Sequence, residues 1–490
     1  MLVVSTIVAF AFQGSRHLYD PDEGRYTDVA HQMTDLGDWL VPRLDPERPH
    51  FTKPPLTYWT LAASFGAFGS DEWAARLPNA LAFIGTALLV LGLARRLGLA
   101  APAFAACAWA TSWAPVLGMN VVTTDTLLTS FESLAVYGFV ASGLVAADAR
   151  PGAAGLRLMW LGFGLAFLTK GPPGLLPLAA IVTFVAWRRR RALARLFDPI
   201  GLLVFAIVGL SWFVALIWHS PDLLDYFIRH ETVGRVASGE HHRNAGWLGW
   251  LEVYGPTLVL GSLPWLGLAI AARWRRASSR PQSRAPHGET RRFLLFWLGL
   301  PLVVFVLARS RLPLYVLPLM VPAALLIAAS LDEWATQARR ACVAIAIAAL
   351  VAIAFKGGGA LWALDGDSYR LAEEIRAAVD LSTVDEFAFV DVPARYGLKH
   401  YLKMNVEQLE SHAGAIGPAG YSAPEPLCSE LDMPERLLLI APLNRLDGVL
   451  AQFATCPHRI ERLGNLRKWA LFRAVPEAPR PSQVPAQRSP

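Results

Sequence analysis

Residues 75–96 read ARLPNALAFIGTALLVLGLARR, an apolar run followed by two arginines. A run of about 20 residues is long enough to cross the hydrocarbon core of a bilayer as a helix. Basic residues that directly follow such a run favour the cytoplasmic side, because cytoplasmic loops are enriched in Lys and Arg. This stretch therefore predicts a membrane-spanning helix and its orientation.

The composition of the whole chain agrees with a membrane protein. Of its 490 residues, 54% are hydrophobic and 17% are charged, and the mean hydropathy is +0.36. These values lie outside the usual range of soluble globular proteins. The net charge of +6 is carried by short basic clusters between apolar segments, which indicates membrane topology rather than nucleic-acid binding. We therefore expect membrane lipids, and no nucleic acid, among the partners.

Eleven apolar segments predict an α-helical multi-pass membrane protein with about 11 transmembrane helices. The first, Leu2 to Phe12, is short, so either it continues past Gln13 or the chain starts further upstream. The others run approximately over residues 75–94, 99–118, 127–147, 158–169, 175–187, 200–218, 251–272, 293–307, 314–330 and 341–355. Arginine clusters follow every second segment, so that all of them can face the cytoplasm at once. The remaining loops, and everything after residue 356, then face outward.

The predicted domain organisation follows from this topology. Residues 1–356 form the transmembrane core, with residues 13–73 as the first outward loop. Helical patterns over residues 369–379 and 446–453, and strand patterns over 386–392 and 437–441, predict a small extracytoplasmic α/β domain at 357–475. Residues 476–490 are rich in Pro, Ser and Gln and are predicted to be disordered. Cys428 and Cys456 lie in the polar C-terminal part and can pair if it faces an oxidising compartment.

The first outward loop carries the first group of candidate site residues. Residues 19–26 read YDPDEGRY and contain Asp22, Glu23 and Arg25. An acid pair beside an arginine can place a general base next to an anion-binding group, and a solvated loop is the alternative. Lys53 and Tyr58 follow in HFTKPPLTYW at 50–59. Two prolines directly after Lys53 stiffen the backbone that holds it.

Asp125 and Lys170 stand directly at the ends of apolar segments. An ionisable group near the bilayer costs roughly 2 to 3 kcal/mol even on lenient insertion scales, and it usually marks a function or a buried partner. Both residues are therefore candidates for the site. For Lys170 the alternative is a side chain that extends to the membrane surface.

Two later outward loops add cations and histidines. His230, His241 and His242 can ligate a metal, but their spacing matches no strict zinc signature. We therefore predict that no cofactor is required, with a divalent cation as the less favoured alternative. Arg235 is better interpreted as a phosphate partner, because a guanidinium fork matches phosphate oxygens. Arg311 and Tyr315 lie at an outward span end, where a positive charge against the topology rule predicts an anionic ligand.

Six motifs occur in an order that resembles the bacterial branch of the protein O-mannosyltransferase-like family. That branch includes the aminoarabinose transferases that modify lipid A, all with the GT-C fold. The similarity covers about the first 330 residues. Its motifs are DEGRY (22–26), KPPLTYW (53–59), EWAARLP (72–78), TD (124–125), KGP (170–172) and RLPLYVLP (311–318).

The resemblance implies a glycosyltransferase that uses a polyprenyl-phosphate-sugar donor. Asp22, beside Glu23, would be the base, with support from Asp125, while Lys53 and Arg235 would neutralise the carrier phosphate. The substrate-binding candidates are Arg25, Lys53, Tyr58, Lys170, Arg235, Arg311 and Tyr315. The acceptor would be a lipid, a glycan or a protein on the periplasmic side of the bacterial inner membrane. Transfer would invert the configuration at the reacting carbon of the sugar.

Two residues depart from the pattern of the lipid A enzymes. Thr52 stands where those enzymes carry an acid associated with bound metal, and Arg311 stands where a lysine is usual. A lipid or sugar transporter and a scaffold with an outer binding domain remain as alternatives. Transporters tend to place polar residues near the midplane of repeated halves, whereas these candidates lie at span ends on one side.

Overall fold

The computed structural model describes residues 1–46, 48–145, 152–229, 244, 246–276, 288–361, 366–410, 425–431, 436–456 and 458–475. The chain divides into two compact units. The first contains residues 1–16 and 29–362, and the second contains residues 17–28 and 363–490.

The first unit is helical. Its helices are α1 (Leu2–Phe10), α2 (Asp22–Leu36, of which residues 22–28 belong to the second unit), α3 (Leu56–Phe68), α4 (Glu72–Arg96), α5 (Pro102–Ala110), α6 (Trp113–Met119), α7 (Asp125–Ala141), α8 (Ala153–Lys170), α9 (Leu176–Arg189), α10 (Pro199–Phe205), α11 (Ser211–His219), α12 (Leu223–Asp225), α13 (Gly249–Gly261), α14 (Trp265–Arg276), α15 (Gly288–Leu307), α16 (Met320–Ser330), α17 (Asp332–Ala335) and α18 (Ala338–Leu361). Short 3₁₀ helices lie at Pro172–Leu175, Arg190–Leu196 and Pro313–Leu319, and a π-helical turn at Ala206–Leu210 joins α10 to α11.

Five helical stretches of the described chain are long and apolar enough to cross a membrane: Glu72–Arg96, Pro199–His219, Gly288–Leu307, Pro313–Ser330 and Ala338–Leu361. Helices α13 and α14, bent by 77°, make a sixth if they are counted as one span. The predicted number of about 11 is not confirmed.

Broken helices explain part of this difference. The predicted span at 99–118 is divided into α5 and α6 at Thr111 and Ser112. Both hydroxyls donate to the carbonyl four residues earlier, at 2.7 Å in each case. Such bonds in a helix weaken and often bend it. A continuous apolar run in the sequence is therefore two short helices in the structure.

The outer faces of the long helices are apolar. Ile207 and Val214 are each 60% exposed, Leu307 is 74% exposed and Leu350 is 66% exposed. Exposed apolar surface on this scale marks a membrane or a protein interface, and its position on helices of spanning length indicates lipid. The first unit is the multi-pass membrane part of the chain.

Helices α7 and α8 pack closely because glycine lies where they meet. A Cβ added to Gly138 would lie 2.4 Å from the backbone nitrogen of Met159, and one added to Gly162 would lie 2.4 Å from that of Ala135. Small residues permit this approach, as in many helix pairs of membrane proteins. The start of α7 and the end of α8, which carry Asp125 and Lys170, lie at the same end of the pair.

The second unit contains one mixed sheet of six strands. The strands are β1 (Glu386–Val390), β2 (Asn405–Glu410), β3 (Glu425–Pro426), β4 (Leu437–Pro442), β5 (Arg459–Leu466) and β6 (Trp469–Val475), in the order β3-β2-β1-β4-β6-β5. The pairs β1–β2, β1–β4 and β2–β3 are parallel, whereas β6 is antiparallel to both β4 and β5. Its helices are α19 (Ser368–Ala378), α20 (Gly397–Leu402), α21 (Leu427–Glu430) and α22 (Leu446–Phe453), with 3₁₀ turns at Leu381–Thr383 and Leu443–Arg445.

Sequence patterns predicted several of these elements. The predicted helices at 369–379 and 446–453, and the predicted strands at 386–392 and 437–441, are confirmed as α19, α22, β1 and β4. Buried side chains fill both faces of β4, as expected for a central strand between β1 and β6. Cys428 and Cys456 form a disulfide, with their Cα atoms 5.3 Å apart. The pairing that the sequence allowed is therefore present in the structure.

Candidate functional site

Asp125, Lys170 and Tyr315 come together in the first unit. The ammonium of Lys170 donates to Oδ1 of Asp125. The same nitrogen lies 4.4 Å from the centre of the Tyr315 ring. The side chains of Lys170 and Asp125 are only 10% and 6% exposed. Three residues from separate sequence motifs thus form one cluster, in which the ion pair is largely buried.

Local structure favours this ion pair. Asp125 is the first residue of α7, and Lys170 is the last residue of α8. A negative charge at a helix N-terminus and a positive charge at a C-terminus are both stabilised by the helix dipoles. The Tyr315 ring adds a cation–π contact, worth about 2 kcal/mol where water is excluded. The cluster therefore holds an acid and a basic group in direct contact inside the first unit.

Glu132 is a buried acid near this cluster that the sequence interpretation missed. It lies seven residues after Asp125 on α7, so both residues project from the same face of the helix. Its side chain is 4% exposed, and the charges that act on its carboxyl are those of Lys170 and Asp125. An acid inside an apolar segment was the available signal.

Lys53 lies three residues before α3, and Tyr58 lies in the first turn of this helix. Lys53 donates to the backbone carbonyl of Thr52 at 2.7 Å, and Tyr58 is completely buried. The hydroxyl of Thr52 is hydrogen-bonded to Nε2 of His50 at 2.7 Å. Thr52, which stands where the lipid A enzymes carry an acid, is therefore hydrogen-bonded to a neighbouring histidine. The predicted phosphate contact of Lys53 stays a prediction.

Arg311 binds backbone carbonyls. Its Nη1 donates to the carbonyls of Asn244 and Gly246 at 2.9 and 3.0 Å, and its Nη2 donates to that of Val306 at 3.0 Å. The side chain is 6% exposed. The guanidinium therefore links residues 244 and 246, just before α13, to the end of α15. To bind phosphate, as predicted, it would exchange some of these bonds for phosphate oxygens.

Asp22, Glu23 and Arg25 belong to the second unit. Asp22 accepts a hydrogen bond from Nη2 of Arg25 at 2.7 Å, and its side chain is 40% exposed. Glu23 is fully buried and accepts from the backbone nitrogen of Tyr19 at 2.9 Å. Asp22 is thus the accessible acid of the pair, and Glu23 holds the turn that precedes it.

Asp20 fixes the Asp22 segment within the second unit. Its carboxylate accepts from the hydroxyl of Ser368 and, at 3.1 Å, from the backbone nitrogen of Gly397. Burial raises the pKa of Asp20 to about 6, although the bonds from Ser368 and Gly397 and the charge of Arg395 act in the opposite direction. Asp20 therefore anchors this segment, and its charge changes near pH 6.

We expect the second unit to lose stability between about pH 4 and pH 6. A carboxyl whose pKa is higher in the folded than in the unfolded state stabilises folding below the unfolded value, and this contribution is lost as the pH rises through the folded value. A rise of about two pKa units corresponds to roughly 3 kcal/mol. Hydrogen exchange of residues 366–378 and 395–402, corrected for intrinsic rates, measures this change. The control is Asp20→Asn, which should remove the change in that pH window. An unaltered pH profile in this variant contradicts the assignment to Asp20.

Four predicted residues lie outside the described part of the chain: Arg235, His230, His241 and His242. Among the residues that the structure describes, no group of three or more His, Cys, Asp and Glu side chains is arranged to hold a metal ion. The predictions about the phosphate contact of Arg235 and about a cofactor therefore stay predictions.

Comparison with known proteins supports the resemblance of the sequence motifs. Residues 52–218 match the family described as dolichyl-phosphate-mannose-protein mannosyltransferase. The chain is 34% identical over 321 residues to the undecaprenyl phosphate-alpha-4-amino-4-deoxy-L-arabinose arabinosyl transferase of Edwardsiella ictaluri. It is 32% identical over 330 residues to the enzyme of the same name from Serratia proteamaculans. These matches cover 64% and 65% of this chain, and 55% and 56% of the relatives. The chain thus spans little more than half the length of these relatives.

A solved structure shares the fold. The crystal structure of ArnT from Cupriavidus metallidurans, bound to undecaprenyl phosphate, matches with a TM-score of 0.73 and covers 96% of both chains. The sequence identity is 19%, so this likeness establishes the fold alone. The family match and the sequence relatives confirm the family resemblance predicted from the ordered motifs.

Proposed function

Because this chain is a relative of the protein O-mannosyltransferase-like and aminoarabinose-transferase-like glycosyltransferases, we propose that it is an integral membrane glycosyltransferase. It transfers a sugar from a polyprenyl-phosphate-linked donor to a lipid, glycan or protein acceptor on the periplasmic side of the bacterial inner membrane. The proposed GT-C core crosses the membrane about 11 times.

The cluster of Asp125, Lys170 and Tyr315 is the observation that carries this proposal. Burying an acid and a lysine in a membrane protein costs free energy, and the packing of the helices does not require either group. The three residues come from three motifs shared with a family of transferases, and they meet at the end of a helix pair. A site for a charged substrate explains both this cost in free energy and the position that the three residues share.

The proposed chemistry is an inverting displacement at the sugar carbon. Asp22 removes the proton from an acceptor hydroxyl, whose oxygen then attacks the carbon bonded to the phosphate oxygen. That bond breaks, and the electron pair leaves with the polyprenyl phosphate. Lys53 and Arg235 stabilise the negative charge on the departing phosphate, as preorganised cations do in other transferases. Asp125 holds Lys170 in place through the hydrogen bond between them.

Two observations support an outward-facing site. Arg188 at the end of α9 forms an ion pair with Glu289 at the start of α15, so the basic ends of these two helices share one side of the first unit. The topology rule makes that side cytoplasmic. In the second unit, the disulfide between Cys428 and Cys456 is typical of an oxidising compartment such as the periplasm.

The names of the relatives support the choice of donor carrier. The two named transferases use an undecaprenyl phosphate donor, and the solved ArnT structure contains undecaprenyl phosphate. We propose a polyprenyl phosphate of this kind as the carrier here, with lipid A as the first acceptor to test. We propose that the reaction requires no cofactor.

A transfer reaction in detergent tests the function without a second compartment. The full chain is incubated with undecaprenyl-phosphate-linked aminoarabinose or hexose, together with lipid A, glycan or peptide, and the acceptors are analysed by mass spectrometry. An acceptor that gains one sugar mass supports the proposal. If no acceptor gains mass, while reconstituted vesicles move a labelled polyprenyl lipid between leaflets, the chain is a transporter.

A further inference from the structure

Arg76 is a buried cation to which the sequence motifs gave no role. It lies near the start of α4, within EWAARLP at 72–78, and is 1% exposed. Its Nε donates to the carbonyl of Asn120 at 3.0 Å. Its Nη1 donates to the carbonyls of Arg16 at 2.6 Å and of Gln13 at 3.3 Å. One guanidinium therefore binds carbonyls of two segments that are more than 100 residues apart.

Each of these segments leads directly to a candidate catalytic acid. Arg16 is the last residue before the segment 17–28, which contains Asp22. Asn120 follows α6, and the four residues after it lead to Asp125 at the start of α7. Arg76 thus fixes the chain a few residues upstream of both acids.

Further hydrogen bonds strengthen the same junction. Nη2 of Arg16 donates to the carbonyl of Asn120 at 2.7 Å, which joins the two segments to each other. Nδ2 of Asn79, one turn after Arg76, donates to the carbonyl of Val121 at 2.8 Å. Nε2 of Gln13 donates to the carbonyl of Trp73 at 2.9 Å. The start of α4 therefore serves as the common support of both segments.

We propose that Arg76 is a positioning residue for the transfer reaction and sets where the segments leading to Asp22 and Asp125 begin. This inference rests on the proposed function. A planar guanidinium donates from several nitrogens in fixed directions, whereas an ammonium is a single charged point. A lysine at this position therefore keeps the charge but cannot bind both segments in the same geometry. A misplacement of about 1 Å far from the chemistry can cost roughly 100-fold in rate.

The test compares Arg76→Lys with the wild-type chain in two measurements. We expect kcat to fall roughly 10- to 100-fold, while the affinity for undecaprenyl phosphate changes less than about threefold. Spin labels at Ser15 and Leu117, which are both exposed, report the separation of the two segments. We expect a narrow distance distribution in the wild type and a broader one in the variant.

The matched control is Thr86→Val, which removes another buried hydrogen bond of α4. Thr86 donates only within its own helix, to the carbonyl of Ala82 at 2.8 Å, so its loss should leave kcat and the label distances unchanged. If Arg76→Lys does not fold, Asn79→Ala replaces it, with an expected loss of roughly 3- to 10-fold in kcat and the same broadening.

Two results overturn the positioning role. One is a kcat of the Arg76→Lys variant that lies within about twofold of the wild-type value. The other is a loss of kcat with unchanged label distances. In both cases an active wild-type chain leaves the proposed function intact. A wild type that transfers no sugar to any acceptor would instead refute the proposed function itself, and the label distances would still report whether Arg76 holds the two segments.

Discussion

Replacement of Asp22 by Asn is expected to reduce sugar transfer by roughly 100- to 10,000-fold, which is the usual contribution of a general base. The amide has the same shape and can still accept the hydrogen bond from Arg25. It cannot remove a proton from an acceptor hydroxyl. Because exposed ion pairs contribute only about 0 to 1 kcal/mol, the variant should fold and insert normally. The measurement is the initial rate of transfer in detergent, with the amount of folded protein determined separately.

Asp35→Asn is the matched control. Asp35 is an exposed acid on the same helix, α2, so its neutralisation tests for a general effect of lost negative charge. The control should transfer at the wild-type rate. If Asp22→Asn also retains a rate near that of the wild type, Asp22 is not the base.

Neutralising Asp125 is expected to affect both activity and stability. Asp125→Asn leaves Lys170 buried without its counter-ion, and breaking a buried pair costs about 3 to 5 kcal/mol. Loss of a charge-stabilising group at an active site lowers the rate roughly 100- to 1,000-fold. We therefore expect a lower melting temperature together with a severe loss of transfer.

The double variant Asp125→Asn with Lys170→Met separates these two effects. Removing both charges should restore much of the stability, since a buried pair can often be replaced by apolar groups at little cost. Transfer should remain low if the charges serve the reaction. Recovery of transfer along with stability would show that the pair is only structural. Arg188→Gln is the control, because it breaks a more exposed ion pair with Glu289 and should leave transfer unchanged.

The sequence predicted the features that depend on local pattern. Apolar runs located the membrane part, and periodicity located α19, α22, β1 and β4. Charges at the ends of apolar runs identified Asp125 and Lys170 before their contact was known, because such charges require a partner or a function. Glu132 carried the same signal inside an apolar run, so this residue was predictable from the sequence and was missed.

Contacts between distant segments were beyond the reach of a single sequence. Asp20 binds Ser368, 348 residues away, and Arg76 binds carbonyls of residues 13, 16 and 120. The sequence does not show which side chains bind backbone carbonyls. Nothing in it therefore distinguished Arg76 or Arg311 from a cation that binds a ligand. The number of spans was uncertain for a similar reason, since an apolar run does not reveal where hydroxyl groups interrupt its helix.

The central claim is that Asp125, Lys170 and Tyr315, which come from separate motifs and form one cluster in the first unit, belong to a site that is open to the periplasmic side. Cysteine cross-linking tests it most directly, in a background that lacks the free cysteines Cys107 and Cys342 and keeps the disulfide between Cys428 and Cys456. Lys170→Cys is paired with Tyr315→Cys, two positions that are in contact, and a short, membrane-impermeant bifunctional thiol reagent is added from either side. We predict that this pair is cross-linked from the periplasmic side and that undecaprenyl phosphate suppresses the reaction. Cross-linking only from the cytoplasmic side, or from neither side, would contradict the proposed site.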